Sequence, residues 1–234
     1  MDKHRAAENA LDIRDLRFRY PVDSGGPSGG SAGWSISIAS LAVRPGEQVL
    51  LTAGSGRGKS TLLHLIAGLM DPSSGTVRIA GQDIHALRGA ARDRFRGRHV
   101  GMIFQTFNLL HGFSAIENVM AALMFSEVPP GEHAGRAADL LGRLGIERAG
   151  ADPDRLSVGQ QQRVAVARAL ACDPVLVLAD EPTASLDPQN AAAAITLIQE
   201  ACREKGAALV CVSHDPAMAE RFERRESLDS LASA

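Results

Sequence analysis

A glycine-rich loop with the sequence AGSGRGKST, residues 53–61, carries the first residues whose types and spacing indicate a chemistry. Its three glycines let several backbone N–H groups converge on one anion, and the start of a following helix adds partial positive charge. In the pattern G-x-x-x-x-G-K-[ST], the lysine reaches the β- and γ-phosphates of a nucleotide and the next hydroxyl ligates Mg²⁺. Lys59 and Ser60 occupy these two places. The predicted phosphate-binding residues are Gly54, Ser55, Gly56, Arg57, Gly58, Lys59, Ser60 and Thr61.

Ala53 stands where that pattern begins with glycine. A methyl group there is harmless if the φ angle of Ala53 is negative, and it costs about 1–2 kcal/mol if φ must be positive. The donor groups come from residues 54–61 in either case, so we expect the loop to bind phosphate.

An acidic pair, Asp180-Glu181, directly follows the apolar run VLVLA. The run predicts a buried strand, and ligands of open parallel sheets bind at the carboxyl ends of the strands. Both carboxylates are therefore expected near the phosphate-binding loop. Asp180 is predicted to hold Mg²⁺ through water, and Glu181 is predicted to orient and deprotonate the attacking water.

The elements that must position these residues alternate between buried strands and helices, which predicts an α/β fold with a mostly parallel sheet. The alternating early strands indicate a small antiparallel layer beside that sheet. Ser114 with Glu117 forms a capping-box pattern, and Ser157 is a good cap for a later helix. Strands are predicted at 11–20, 34–41, 48–53, 76–84 (a hairpin around Ala80-Gly81), 100–105, 175–180 and 207–214. Helices are predicted at 61–69, 85–97, from 114 onwards, at 131–146, 158–171, 191–206 and 215–222, with a Gly/Ser/Pro loop at 21–33.

The length suffices for one large domain or two small ones, and the composition favours a globular core and argues against several other classes of protein. The chain has 234 residues, of which 45% are hydrophobic and 22% charged. A net charge of −2 argues against a broad nucleic-acid-binding face, so no nucleic-acid partner is expected. Residues 1–15 lack the apolar core of a signal peptide, and no apolar run approaches the ~20 residues of a membrane-spanning helix. The cysteines are interpreted as small buried side chains: Cys172, Cys202 and Cys211.

The stretch LSVGQQQRVAVARAL, residues 156–170, stands shortly before the strand that ends in the acidic pair. With the phosphate-binding loop, it resembles the nucleotide-binding subunits of ABC transporters, whose signature is L-S-G-G-Q. The resemblance covers about residues 11–222. It implies a P-loop NTPase cassette with a mostly parallel core sheet, an antiparallel β layer and an inserted helical subdomain. The implied single domain, 1–234, has its core and β layer at about 11–105 and 172–222, its helical subdomain at about 106–171 and a frayed C-terminus at 223–234.

The resemblance also implies roles for residues outside these motifs. Tyr20 matches the aromatic residue that stacks on adenine, and Gln105 matches the glutamine that senses Mg²⁺ and the γ-phosphate. Asp187 matches an aspartate that communicates across a dimer of cassettes, and His214 matches a histidine that contacts the γ-phosphate. The signature residues that contact the nucleotide of the other cassette would be Ser157, Gly159 and Gln160. The implied catalytic residues are Glu181, His214, Lys59 and Gln105, and the implied metal ligands are Ser60, Gln105 and Asp180.

Two further stretches depart from the family pattern. Val158 replaces the first glycine of the signature, but Ser157 can still cap the helix and Gly159 still permits close approach of the backbone. We therefore expect retained function. The C-terminal sequence ERRESLDSLASA, residues 223–234, lacks the pattern of a final strand and is expected to fray.

The implied function is an ATP-binding and ATP-hydrolysing subunit that uses ATP and Mg²⁺ and powers a separate transmembrane permease. Two cassettes are expected to form a homodimer around two ATP molecules. The subunit is expected in the cytoplasm, peripheral on the inner face of the cell membrane. The stretch 107–119 is either a surface that couples to the permease or simple helical core. The short length and the sequence LADEPT resemble the cassettes of lipoprotein-release and macrolide-export systems.

Other functions stay open from the sequence alone. An importer cassette, or an ABC-type ATPase that transmits a signal without transport, would carry the same motifs. A soluble ABC ATPase of DNA repair or translation usually has a long coiled-coil or zinc insertion, which is not visible here. A P-loop kinase for a small metabolite would not need LSVGQ or His214.

Overall fold

The computed structural model describes residues 8–20, 35–54, 58–184 and 186–232. Three predicted features lie outside the described residues: the loop at 21–33, Trp34, and residues 55–57 of the phosphate-binding loop. The strands are β1 (Leu11–Phe18), β2 (Ile36–Val43), β3 (Gln48–Thr52), β4 (Ser74–Ile79), β5 (Gln82–Asp83), β6 (Val100–Ile103), β7 (Leu176–Asp180), β8 (Ala208–Ser213) and β9 (Arg224–Ser227). The helices are α1 (Lys59–Ile66), α2 (Gly89–His99), α3 (Ala115–Leu123), α4 (His133–Arg143), α5 (Val158–Leu170), α6 (Pro188–Lys205), α7 (Pro216–Ala219) and α8 (Leu228–Leu231).

One layer is an antiparallel sheet with the strand order β2-β1-β4-β5. Buried and polar residues of β1 alternate on each side of an irregularity at Arg14-Asp15: Leu11 and Ile13 are buried before it, and Leu16 and Phe18 after it. β4 turns into β5 through Ala80 and Gly81, which both have positive φ angles, so the predicted hairpin is confirmed.

The second layer is a parallel sheet with the strand order β6-β7-β8-β3-β9. Its central strands β7 and β8 are almost continuous apolar runs because helices or the other sheet cover both of their faces. α1 packs with both sheets in one apolar cluster, whereas α5 and α6 pack with β7 and β8 in a second. The predicted mostly parallel core sheet is confirmed.

A third apolar cluster joins α3, α4 and α5. Two capping boxes start helices here: Ser114 with Glu117 begins α3, and Ser157 with Gln160 begins α5. Ser157 is therefore the cap that its sequence position predicts. The division into a core and a helical subdomain at 106–171 stays a prediction.

The prediction of a frayed end at 223–234 was wrong for its described part. β9 pairs in parallel with β3 and forms the edge of the core sheet, and α8 follows it. Arg224 fixes this edge by donating to the backbone oxygen of Ala42, at 2.7 Å, and to Glu47 Oε1, at 3.0 Å. The sequence of β9 is charged, so its strand conformation depends on tertiary contacts: the pairing with β3 and the bonds of Arg224. The predicted helix at 85–97 also begins later, because a 3₁₀ turn at Ile84–Ala86 precedes α2.

The cysteine interpretation agrees with the structure. Cys202 and Cys211 are buried and Cys172 is half-buried. Burial raises the pKa of Cys172 to about 11 and that of Cys202 to about 12, so both are thiols at neutral pH. Within the described part of the chain, no helix combines the length and apolar character needed to cross a bilayer.

Candidate active site

A cavity of about 790 Å³ lies where four strands of the parallel sheet end. Residues that follow β3, β6, β7 and β8 line it, which agrees with the rule that ligands bind at the carboxyl ends of such strands. The cavity therefore brings together side chains that are far apart in sequence. The predicted site residues in its lining are Tyr20, Gly58, Lys59, Ser60, Thr61, Gln105, Glu181 and His214.

The loop before α1 needs glycine at position 58. Gly58 has a φ of 81°, and a Cβ atom there would come within 2.5 Å of the Ile36 side chain. No other residue type fits this left-handed, crowded position without strain. Ala53, by contrast, is not among the described residues with a positive φ, so its methyl group is harmless.

Lys59 is buried and its ammonium group is bound within the loop. Its Nζ donates to the backbone oxygens of Ala53, at 3.0 Å, and Gly54, at 3.2 Å. The same Nζ lies 3.5 Å from Glu181 Oε1. The cation is thus held between the glycine-rich loop and the acidic end of β7.

Glu181 is held on several sides. It has a left-handed φ of 44°, which is uncommon for a non-glycine residue, and its backbone N–H donates to Val212 O at 3.0 Å. Oε1 lies 2.7 Å from His214 Nδ1, and Oε2 accepts from the hydroxyl of Ser213 at 3.1 Å. Because an ionised carboxylate only accepts, His214 Nδ1 carries the hydrogen of its bond with Glu181.

Asp180 ends β7 beside this network. Its Oδ1 atom is buried and has no hydrogen-bond partner within residues 8–20, 35–54, 58–184 and 186–232. A buried carboxylate oxygen without a partner is costly, and a hydrated divalent cation is the type of ligand that would satisfy it. Ser60 and Gln105, which line the cavity, add the hydroxyl and amide oxygens that Mg²⁺ accepts.

Comparison with known proteins assigns a family to this arrangement. The sequence model of the ABC transporter family matches residues 36–184. The chain is similar to the lipoprotein-releasing system ATP-binding protein LolD of Chromohalobacter salexigens. The two are 44% identical over 195 residues, which are 83% of this chain and 82% of that protein. The chain belongs to the ABC transporter ATP-binding family. It is a nucleotide-binding protein and an ATPase.

Solved ABC cassettes have the same fold. The ATP-binding cassette MJ0796, in a dimeric post-hydrolysis structure with ADP and Pi, is 32% identical, with a TM-score of 0.80. The alignment covers 96% of this chain and 97% of that one. Another cassette, cbiO1 from Clostridium perfringens, is 28% identical with a TM-score of 0.74, over 89% of this chain and 79% of that one.

In this ABC ATPase, Tyr20 lies at the rim of the cavity. Its hydroxyl lies 2.7 Å from Thr61 Oγ1, and its ring packs edge-on against Phe18 with centroids 4.9 Å apart. The ring is half exposed. It is therefore available to a planar ligand beside the start of α1.

The signature segment of the ATPase lies on the surface and does not line the cavity. Ser157 is exposed at the start of α5, and the Val158 side chain is 49% exposed. A Cβ atom at Gly159 would have no described atom outside its own helix backbone and chain neighbours within 4 Å, so the surface there is open. Asp187, exposed at the start of α6, accepts from the backbone and side chain of Asn190. These predicted site residues are thus separate from the cavity within one copy of the chain.

The structure adds residues that the sequence reasoning missed. Arg168 of α5 donates to the backbone oxygens of Phe107 and Asn108, each at 2.6 Å. Both residues have positive φ angles and follow Gln105 closely. Burial lowers the pKa of the Arg168 guanidinium, which nevertheless stays charged at neutral pH. The sequence signal that could have identified Arg168 was an arginine within the otherwise apolar stretch VAVARAL of the predicted helix.

Gln162, on the same helix, also bonds a backbone oxygen of a segment beside the cavity. Its side chain is buried and donates to Pro182 O at 3.2 Å. α5 therefore contacts both the segment after Gln105 and the segment after Glu181. Ser213, which bonds Glu181, is the third residue that was missed.

Proposed function

We propose that this ATPase binds ATP with Mg²⁺ and hydrolyses it to power a separate membrane permease in a lipoprotein-release or related export system. The observation that carries the proposal is the meeting of Lys59, Glu181 and His214 at one cavity beside a glycine-rich loop. The 44% identity to a lipoprotein-releasing ATP-binding protein supports the export type. It favours transport over signalling without transport and over soluble repair or translation functions.

In the proposed complex, the adenine ring stacks on Tyr20 and the phosphates lie over the glycine-rich loop. Lys59 turns its ammonium group from the carbonyls of Ala53 and Gly54 to the β- and γ-phosphates, because these carry more negative charge. Ser60, Gln105 and Asp180 would hold Mg²⁺, which neutralises charge on the phosphate oxygens.

Glu181 acts as the general base in the proposed reaction. When Lys59 bonds the phosphates, its ammonium group moves away from Glu181 Oε1, from which it lies 3.5 Å in this structure. Oε1 can then accept a proton from water. His214, whose side chain is 60% exposed at the cavity, contacts the γ-phosphate while its Nδ1 stays on Glu181. Positioning and charge stabilisation then supply most of the rate, as in other phosphoryl transfers.

The proposed active form is a dimer of two cassettes. The signature residues Ser157, Gly159 and Gln160 are not among the described residues that line the cavity of their own copy. In the proposed dimer, they contact the nucleotide bound by a second copy. Asp187 would contact that second copy as well. The dimeric MJ0796 structures, which are similar over almost the whole chain, support this assembly.

The proposed docking surface for the permease lies on the helical side of the molecule. Leu110 and Phe113 are exposed, whereas Phe107 and Leu109 are buried, so the stretch 107–119 supplies both core and surface. Phe125 adds an exposed ring beside a groove of about 250 Å³ that Arg168 also lines. A permease bound there would keep the ATPase peripheral on the cytoplasmic face of the membrane.

Retention of a permease tests this proposal. A tagged chain purified from detergent-solubilised membranes should carry a membrane permease with it, and Phe113→Asp should release the permease because it buries a charge in the interface. Leu69→Asp is the matched control, since Leu69 is equally exposed, at 48%, in the turn after α1. Recovery of the wild-type chain without any permease, or equal loss in both variants, contradicts the proposed docking surface.

A further inference from the structure

Ser213 is a buried polar residue that the proposed reaction does not yet use. It ends β8, is 1% exposed and lies one residue before His214. Its Oγ atom is 3.1 Å from Glu181 Oε2 and 3.1 Å from the backbone nitrogen of Asp215. We propose that Ser213 is the positioning residue that orients the carboxylate of Glu181 for proton abstraction. The inference rests on the proposed function, in which Glu181 is the general base.

The direction of the two hydrogen bonds follows from their chemistry. The backbone N–H of Asp215 can only donate, so it occupies a lone pair of the Ser213 hydroxyl. Among the residues that the structure describes, the acceptor that the hydroxyl hydrogen then reaches is Oε2 of Glu181. Asp215 itself is fixed because its side chain caps α7 by accepting from Ala217 N at 2.9 Å. The serine hydroxyl is thus oriented toward the carboxylate by a rigid turn.

This bond assigns different tasks to the two oxygens of Glu181. Among the described residues, Oε2 contacts only the end of β8, through the Ser213 hydroxyl and the His214 backbone N–H at 3.3 Å. Oε1 faces the cavity groups Lys59 and His214. One oxygen anchors the side chain, and the other is directed toward the place where phosphate and water would react.

The anchoring matters because the backbone of Glu181 is in a sparsely populated conformation. Three consecutive residues at the end of β8 and just after it hold Glu181: Val212 through its carbonyl, Ser213 through its hydroxyl and His214 through its N–H. Of the groups that hold Oε2, the Ser213 hydroxyl belongs to a side chain and the His214 N–H belongs to the backbone, so a substitution at Ser213 removes an anchor of Oε2 while the bond from His214 Nδ1 to Oε1 stays. Loss of the hydroxyl frees the carboxylate to rotate without removing it from the site.

Steady-state ATP hydrolysis by Ser213→Ala and Ser213→Cys tests the inference, since both variants remove a strong donor at nearly constant volume. We expect kcat to fall by about one order of magnitude, because a small misplacement of a reacting group is costly, while KM for ATP stays within about twofold. Ser213→Thr keeps the hydroxyl and should restore most of kcat. The ATP-bound dimer of Ser213→Ala should also persist about tenfold longer than that of wild type, in proportion to the slower hydrolysis.

Ser126→Ala is the matched control. The hydroxyl of Ser126 has the same pattern, donating to Leu123 O at 2.7 Å and accepting from Val128 N at 3.1 Å, but it lies outside the cavity. A kcat for Ser213→Ala and Ser213→Cys within twofold of wild type overturns the inference. An equal loss of kcat in Ser126→Ala and Ser213→Ala also overturns it, because the effect would then be general destabilisation.

Glu181→Gln separates this inference from the proposed function. If Glu181→Gln hydrolyses ATP like wild type, Glu181 is not the base and the proposed function fails with it. If Glu181→Gln is slow but Ser213→Ala is not, only the role of Ser213 is removed. In the Glu181→Gln background, Ser213→Ala should lower the residual rate by less than about twofold, because a positioning residue has no effect without the group that it positions.

Discussion

At the scale of single residues, we propose that Lys59 determines how firmly the ATPase holds a nucleotide. Its ammonium group is buried and already bonded to two backbone oxygens, with the carboxylate of Glu181 nearby. In the proposed complex, a triphosphate displaces these partners because it carries more charge and accepts stronger hydrogen bonds. In this proposal, nucleotide affinity depends on an exchange of hydrogen-bond partners at Lys59 Nζ.

Lys59→Ala should therefore lose nucleotide affinity. A charge-assisted hydrogen bond contributes about 1.5–3 kcal/mol, so Kd for ATP should rise by at least about tenfold. Titration calorimetry measures this directly. Lys205→Ala is the control, since Lys205 bonds Asp173 away from the cavity. Unchanged ATP binding by Lys59→Ala would refute the assignment of the loop.

The sequence is informative at this scale where a residue follows a buried strand directly. Lys59, Glu181 and His214 come to one cavity because each stands just beyond the end of a parallel strand or its loop. Ser213 is not recognisable in this way, because a serine at the end of an apolar strand is ordinary. Its contact with Glu181 exists only because β7 and β8 are neighbours in the sheet.

At the scale of elements, α5 links the surface signature to the segments around the cavity. Ser157 caps its exposed start, Gln162 bonds the segment after Glu181, and Arg168 bonds the segment after Gln105. The helix can carry these contacts because its remaining face is apolar and packs in the core. A movement of α5 at the signature would therefore displace the segment after Gln105 and the segment after Glu181.

Arg168→Met should destabilise the protein, because two backbone oxygens in left-handed residues lose a charged donor. We expect the free energy of unfolding to fall by about 2 kcal/mol. Arg163→Met is the control on the same helix. Arg163 is exposed and makes one bond to Leu144 O, so its loss should cost less than about 1 kcal/mol. Equal urea midpoints for the two variants would contradict the role of Arg168.

Element prediction from sequence succeeds where local signals suffice. Both capping serines and the hairpin at Ala80-Gly81 follow from residue types alone. β9 does not, since its residues are charged and alternate in no apolar pattern. Its strand conformation comes from the free edge of β3 and the bonds of Arg224, which are tertiary contacts.

At the scale of the whole molecule, Asp173 joins α4 to the end of α6. It accepts hydrogen bonds from Arg136 and from Lys205, the latter at 2.6 Å. Burial opposes ionisation of Asp173, but the bonds from Lys205 and Arg136 outweigh it and hold the pKa below its usual value. A lowered pKa in the folded protein adds stability above the unfolded-state value of ~3.9, and this stability is lost as pH falls through the folded-state pKa.

Asp173→Asn should show this pH dependence. Half of the side chain is exposed, so the variant should lose at most about 1 kcal/mol of unfolding free energy at pH 7. The backbone tolerates the change, because asparagine accepts the positive φ of this position. The difference from wild type should shrink below about pH 4 in chemical denaturation. A difference that grows toward low pH would contradict the sign of the pKa shift.

The central claim at this scale is that one copy of the ATPase holds an incomplete site, which a second copy completes with its signature. Glu181→Gln measured by size exclusion with light scattering, with and without ATP, tests the claim most directly. The account predicts that Glu181→Gln turns over slowly and forms a dimer when ATP is present. Adding Ser157→Arg to Glu181→Gln should prevent this dimer. Adding Ser114→Arg, which removes an equivalent helix cap, should leave the dimer intact. A Glu181→Gln protein that binds ATP but stays monomeric, or that hydrolyses ATP at the wild-type rate, would contradict the account.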